Sequence, residues 1–275
     1  MYPILKKIKL NNSVEEMVVR APYVARHCEP GQFIILRVDE DGERIPLTIA
    51  EYDREQGTVS IIYQVVGFTT QQLSKKKAGD ELADFVGPLG LPTQFHAHKR
   101  VIGIGGGVGA APLYPQLKKL SDMGVSVDLI LGARSKDLIL LEEKFSKFCK
   151  NIYITTDDGS YGTKGLVTDK LKELVEKGEK YDEVIAIGPL VMMKFVSLLT
   201  KQLNIKTSVS LNPVMVDGTG MCGGCRVTVG GQTKFVCVDG PDFDGHQVDY
   251  DELLRRQSMY KEEEAHACKI GLRTI

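Results

Sequence analysis

Nowhere in these 275 residues does an apolar run approach the length of a membrane span, and the opening MYPILKKIKL lacks the apolar core of a secretory leader. The first absence excludes a helical membrane anchor, and the second leads to the expectation of a cytoplasmic protein. A surplus of either charge is missing too. With 35 basic residues against 36 acidic ones, the broad basic face of a nucleic-acid binder is not expected. Catalytic sets are equally scarce: His27, His96, His98, His246 and His266 form no H-E-x-x-H pattern, no Ser-His-Asp or Cys-His arrangement presents itself, and each histidine reads as a surface or turn residue. Repeats and low-complexity tracts are absent. In a compartment that keeps thiols reduced, the scattered Cys28, Cys149, Cys222, Cys225, Cys237 and Cys268 do not make a disulfide framework.

What the chain does have is 43% hydrophobic residues, enough to bury ordinary cores, and a length that fits two domains and a small appendage. Over residues 1–98, β-type runs such as QFIILRV and GTVSIIYQVV alternate with turn-rich pieces such as DEDGE and DREQG, the pattern of an antiparallel barrel or sandwich. Residues 99–207 change period. RVIGIGG, VSVDLIL, NIYITTDD and EVIAIGP are buried-type strands alternating with helical stretches such as PLYPQLKKLSDMG and TDKLKELVEKG. That alternation builds βαβ units on a parallel sheet, so the fold class is β followed by α/β. Residues 208–245 hold a cysteine-bearing segment, and 246–275 form a charged tail of helical composition whose acidic start suits a helix N-terminus.

Two motifs carry chemistry. In IGIGGGVGAAPL a strand leads into Gly105, Gly107 and Ala110, spaced G-x-G-x-x-A, where missing side chains let a dinucleotide pyrophosphate approach the backbone at a helix N-terminus; a ligand-free tight turn would use the same residues. Pro112 suits the first turn of that helix, and the strand ends TTDDGSYG and AIGPLVMMK reach the same edge of the sheet. In VDGTGMCGGCRVTVGGQTKFVCVDG, Cys222, Cys225 and Cys237 are separated by two and eleven residues, and Asp217 holds the place where the plant-type iron-sulfur spacing has another cysteine. Each iron of a [2Fe-2S] cluster needs two protein ligands, which Asp217, Cys222, Cys225 and Cys237 would supply, while Gly218, Gly220, Gly223 and Gly224 let the loop wrap closely. A zinc site of Cys3Asp type, or an Asp217 that merely caps the loop, are the alternatives. Cys28 and Cys149 read as small hydrophobes of the other domains.

The run Gly106-Gly107-Val108-Gly109-Ala110-Ala111-Pro112, then Gly188-Pro189 with Met192 three residues on, resembles the nucleotide domain of the ferredoxin-NADP reductase superfamily, which stands behind a flavin-holding β-barrel. The likeness spans nearly the whole chain. Asp157-Asp158-Gly159-Ser160-Tyr161-Gly162 and the cysteine segment are similar to the electron-transfer subunits of dihydroorotate dehydrogenase, and CVDGPDFDGHQVDYDELLRRQ brings the chain closer to the small subunits of NADH-dependent ferredoxin:NADP oxidoreductases. The resemblance implies FAD in the barrel, NAD(H) in the α/β domain and a [2Fe-2S] cluster in the final segment, with aspartate ligation at Asp217. It implies a flavin contact set of Pro46, Leu47, Thr48, Ile62, Tyr63 and Gln64, the Thr48 hydroxyl near flavin N5, and Thr69 and Thr70 facing the phosphates from a helix start. A barrel strand followed by a capped helix would look the same. The family's arginine-led flavin window reads Ile45-Pro46-Leu47-Thr48 here, and Arg44, one step early, is expected on the opposite strand face. For the nucleotide, the resemblance implies Gly105, Gly106, Gly107, Val108, Gly109, Ala110, Arg134, Asp157, Gly188, Pro189 and Met192. Ile187 replaces the family's cysteine before the Gly-Pro turn. Arg134 would suit a 2′-phosphate or another part of the cofactor, and the expectation is NAD(H).

Hydride transfer between nicotinamide and flavin asks little of protein acids and bases, which fits the missing catalytic sets. The implied protein is an oxidoreductase subunit passing electrons between NAD(H), FAD, the cluster and a larger flavin and iron-sulfur partner that handles NADP(H) and ferredoxin by electron bifurcation. A dihydroorotate dehydrogenase or sulfide dehydrogenase electron-transfer subunit is the alternative within the class, and a nucleotide-sensing module with structural zinc the alternative outside it. The tail from Val248 to Lys269 carries Leu253, Leu254, Met259 and Tyr260 at roughly helical spacing, which suits a helix lying on the partner or packing on the chain's own domains.

Overall fold

The structure, a computed structural model, describes residues 1–270. Its first part runs β1 (Tyr2–Lys9), β2 (Val14–Arg20), α1 (Pro22–His27), β3 (Phe33–Arg37), β4 (Arg44–Asp53), β5 (Thr58–Gln64), α2 (Phe68–Lys75), β6 (Glu81–Leu82) and β7 (Asp84–Leu89). The strands pair antiparallel in the order β6-β1-β2-β5-β4-β3-β7. The end strands β6 and β7 are separated only by Ala83, whose N–H donates to the Arg37 carbonyl, so the sheet curls into a nearly closed barrel. Period-two alternation decides its inside: Ile34, Leu36, Ile49, Ile61, Tyr63 and Phe85 fill it, joined by Ile45 and Leu47. Phe33 and Ile35 point the other way, into the core of the second half of the chain.

That half begins with β8 (Arg100–Gly106), α3 (Ala110–Asp122), β9 (Ser126–Ala133), α4 (Glu142–Phe145), β10 (Asn151–Thr156), β11 (Thr163–Lys164), α5 (Val167–Glu176), β12 (Glu183–Ile187), α6 (Leu190–Gln202) and β13 (Lys206–Ser210). Continuous apolar runs suit strands covered on both faces, and these strands pair in parallel as β11-β10-β9-β8-β12-β13. The chain leaves β8 toward β9 on one side and later returns to β12 on the other. The strand order therefore reverses between β8 and β12, and their C-terminal ends open the crevice where such sheets bind ligands.

The last segment adds the hairpin β14 (Arg226–Val229) and β15 (Gln232–Phe235), α7 (Val236–Asp239), β16 (Asp242–Asp244), α8 (Tyr250–Gln257) and α9 (Lys261–Ile270). β16 pairs antiparallel with β13, so the cysteine segment is built onto the edge of the parallel sheet. The Asp249 side chain caps α8 by accepting the Glu252 N–H, with acids in its first turn and Arg255 and Arg256 in its last. Of the tail's apolar residues, Leu253 is fully buried and Leu254 packs beside it in the chain's own core, whereas Met259 and Tyr260 are exposed. The Tyr250 hydroxyl meets Ser197 at 2.8 Å, and Arg256 donates to the Gly224 carbonyl at 3.0 Å. Of the two uses the sequence left open, α8 takes the second: its apolar face packs on the chain's own domains. Residues 271–275 of the expected tail lie outside the described residues.

Candidate functional site

A cavity of about 880 Å³ opens at the crevice between β8 and β12. Its barrel wall is Pro46, Leu47, Thr48, Ile62, Tyr63 and Gln64, its nucleotide-domain wall Gly106, Gly107, Val108, Gly109, Arg134, Asp157, Gly188, Pro189 and Met192. Residues far apart in sequence thus converge on one space. Thr69, Thr70, Gly105 and Ala110 are not on these walls.

The two glycine turns are shaped by mutual crowding. A Cβ on Gly109 would lie 2.2 Å from the Ile187 carbonyl oxygen, and one on Gly106 would lie 2.5 Å from the Met192 sulfur, so only glycine lets the turns after β8 and β12 touch. Gly107 has φ +54° and nothing within 4 Å of its would-be Cβ. Gly105 packs against Leu131 and Leu113, and Ala110 is buried; these two set the approach of α3 to β8. At the neighbouring strand ends, the Asp157 N–H donates to the Ala133 carbonyl and the Asp158 N–H to that of Arg134. Asp158 spends its carboxylate on Ser160, whose hydroxyl and then backbone N–H hold it below the usual range. Arg134 and Asp157 line the cavity without an ion pair between them.

On the barrel side, Ile45 and Leu47 face the barrel core, so Arg44 shares the other strand face with Pro46 and Thr48. Arg44 is exposed and is not among the residues lining the cavity, while Ile45, in the place of the family's arginine, turns into the barrel. Thr70 accepts the backbone N–H groups of Val66 and Gly67 at 3.0 Å, and the buried Thr69 donates to Glu43 at 2.7 Å. The Thr70 hydroxyl is thus occupied by the start of α2 itself, and that of Thr69 by Glu43, just ahead of β4.

In the cysteine loop the four expected donors fall into two pairs. Asp217 accepts the Thr219 and Cys222 N–H groups at 2.9 Å each, and these bonds hold its exposed carboxyl below the usual range. Cys225 and Cys237 are buried with their sulfurs 3.2 Å apart. Burial first, then the neighbouring thiol, pushes Cys237 up to about 12. Thiolates are the form that binds iron, and each iron of a two-iron cluster would take one such pair of donors. Among the described residues no three His, Cys, Asp or Glu side chains converge as a single metal ion would require. Backbone N–H groups already address sulfur, Gly224 to Cys222 and Cys237 to Cys225, both at 3.4 Å. Left-handed glycines at 218, 220 and 223 make the loop possible, and Gly218 presses on Ile35 and Leu89 of the barrel. Cys28 and Cys149 sit in the other cores, pushed by burial up to about 11 and about 12, as inert thiols do.

Sequence reasoning missed the third wall: Phe195 of α6 and the run Ser210, Leu211, Asn212, Pro213 and Met215 after β13. None belongs to a motif. Val216 alone separates this wall from Asp217, so the cavity wall is continuous along the chain with the cluster loop.

Comparison with known proteins agrees with this geometry. The family model "Iron-sulfur cluster binding domain of dihydroorotate dehydrogenase B" matches residues 212–249, and "Oxidoreductase NAD-binding domain" matches residues 104–198. An uncharacterized protein in the adh 3′ region of Clostridium beijerinckii is 59% identical over 275 residues, covering 97% of this chain and 93% of the relative. A dihydroorotate dehydrogenase B (NAD(+)) electron transfer subunit homolog from Thermotoga maritima is 46% identical, covering 98% of this chain and 95% of the relative. A chain of an NADH-dependent reduced ferredoxin-NADP oxidoreductase, solved for insight into flavin-based electron bifurcation, superposes with a TM-score of 0.94 at 46% identity, covering 99% of this chain and 98% of that one. The chain therefore belongs to the family of dihydroorotate dehydrogenase B-type electron-transfer subunits, oxidoreductase subunits on the ferredoxin-NADP reductase fold that use FAD, NAD(H) and an iron-sulfur cluster.

Proposed function

We propose that this chain serves the NAD(H) branch of an electron-bifurcating NADH-dependent reduced ferredoxin:NADP oxidoreductase, relaying electrons between NADH and a larger flavin and iron-sulfur subunit. The observation that carries the reading is the shared cavity, walled by the barrel, the nucleotide turns and the segment that leads into Asp217. Bound FAD supplies the conversion between hydride pairs and single electrons that nicotinamide and a cluster cannot exchange directly. Pro46, Leu47, Thr48, Ile62, Tyr63 and Gln64 form its bed, with the Thr48 hydroxyl toward the reacting edge. The crowded turns at Gly106–Gly109 and Gly188–Pro189 leave open space beside Gly107 for a pyrophosphate. The Asp157 carboxylate accepts a ribose hydroxyl and repels a 2′-phosphate, which favours NAD(H), and Arg134 stands beside it. Met192, Phe195 and Met215 give the cavity an apolar side. Asp217 and Cys222 hold one iron of a [2Fe-2S] cluster, and Cys225 and Cys237 the other. Cys222 is exposed and Met221 is 89% exposed, so this end of the loop faces outward, where a partner collects the electron.

The coupled reaction distinguishes the partners. In the purified two-subunit complex, reduction of NADP+ should require NADH and reduced ferredoxin together. NAD+ reduction driven by dihydroorotate would instead favour the second reading, which the description of the Thermotoga relative supports.

A further inference from the structure

Asp242 stands where all parts of the chain meet, and no cofactor role above uses it. It lies on β16 paired to Ser210 of β13, and both Ser210 and Pro241 line the cavity. Its carboxylate accepts the hydroxyl of Thr93, in the connection between barrel and nucleotide domain, at 2.6 Å. The Gln116 amide approaches the same carboxylate at 3.3 Å from the buried face of α3, the helix that follows the glycine turn. The barrel closes in as well: a Cβ on Gly31, whose φ is +91°, would lie 2.2 Å from the Thr93 hydroxyl and 3.2 Å from the Asp242 carboxylate. Backbone bonds surround this junction. Leu91 donates to the Gly240 carbonyl at 2.6 Å, Leu211 to that of Pro241 at 2.9 Å, and Thr93 to that of Pro30 at 2.9 Å.

Asp242 makes no ion pair among the described residues, and the charged group that bears on it is the acid Glu183. Burial pushes its carboxyl above the usual range, and its partners are the neutral hydroxyls of Thr93 and Ser210 and the Gln116 amide. Such partners serve a neutral side chain of the same shape equally well. The position uses shape and hydrogen bonding, not charge.

We infer that Asp242 is a positioning residue that clamps the cluster segment to the cavity wall through Thr93, Gln116 and Ser210, and so fixes the flavin-to-cluster spacing on which single-electron transfer depends. The inference rests on the relay reading above. In the full chain loaded with FAD and cluster, Asp242→Ala should leave NADH reduction of the flavin at its wild-type rate. Cluster reduction, followed by stopped-flow absorbance and freeze-quench EPR, should slow about tenfold or more, as displaced reacting partners do. Asp242→Asn keeps the shape and hydrogen-bonding capacity and should restore the rate, and Thr93→Val, which removes one hydroxyl, should reproduce the loss in smaller measure. A readout free of cofactors accompanies these. Hydrogen exchange should show the Leu91 and Leu211 amides losing protection in Asp242→Ala while the β14–β15 hairpin keeps its own. Unchanged protection of Leu91 and Leu211 with unchanged cluster reduction would refute the clamp, as would an equal slowing of flavin and cluster reduction. A wild-type chain whose flavin NADH fails to reduce would sink the relay reading instead.

Discussion

Asp217 is the residue on which the cluster reading is most exposed to test. Its carboxylate needs no proton removed before it binds a metal, and its partner Cys222 is joined to it through the loop backbone. Asp217→Ala should lose or weaken the cluster while FAD stays bound, and Asp217→Cys should keep a cluster with a shifted potential, both read by iron and sulfide content and by potentiometry. Full iron with an unmoved potential in both variants would make Asp217 a loop cap. On the proposed reading, nicotinamide choice hangs on Asp157. Removing its charge in Asp157→Asn should move the NADH-to-NADPH ratio of kcat/KM about tenfold toward NADPH, and an unmoved ratio would transfer the discrimination to other groups. At this scale the sequence was legible where candidate donors lie close along the chain, as in the cysteine loop, where Cys225 and Cys237 come together. At Arg44 it left two roles open, because the face a strand residue takes depends on which neighbours turn into the barrel, and that is settled by pairing with β3 and β5.

Among the elements, the turns after β8 and β12 behave as one unit. Gly109→Ala should both destabilise the chain by about 1–3 kcal/mol and weaken NADH binding, since the new methyl meets the Ile187 carbonyl; thermal unfolding and NADH titration check the two together. Helix α8 is part of the fold. Leu253→Ala should cost about 2–5 kcal/mol in thermal or denaturant unfolding, and truncation after Asp244 should unfold the cluster segment rather than simply free a partner. Long buried strands such as β8, β9 and β12 were legible because an apolar run flanked by glycine has few other uses. β16 was not: three residues between Pro241 and Gly245 carry no period, and only the open edge of β13 gives them a structure.

Across the whole molecule, two cofactor walls could be read from motifs, but their meeting with the cluster segment could not. Phe195, Leu211, Pro213 and Met215 carry no pattern; Phe195 reaches the cavity from α6, and the other three because β13 ends beside β12 and the chain after it returns to the crevice. That placement is the basis of the relay. An anaerobic titration of the FAD- and cluster-loaded chain with NADH, followed by visible absorbance and low-temperature EPR, tests it most directly. The account predicts that the flavin bleaches and the signal of a reduced [2Fe-2S] cluster rises with it, without any partner present. A cluster that stays oxidised beside a fully reduced flavin, or a colourless protein that carries stoichiometric zinc, would contradict it.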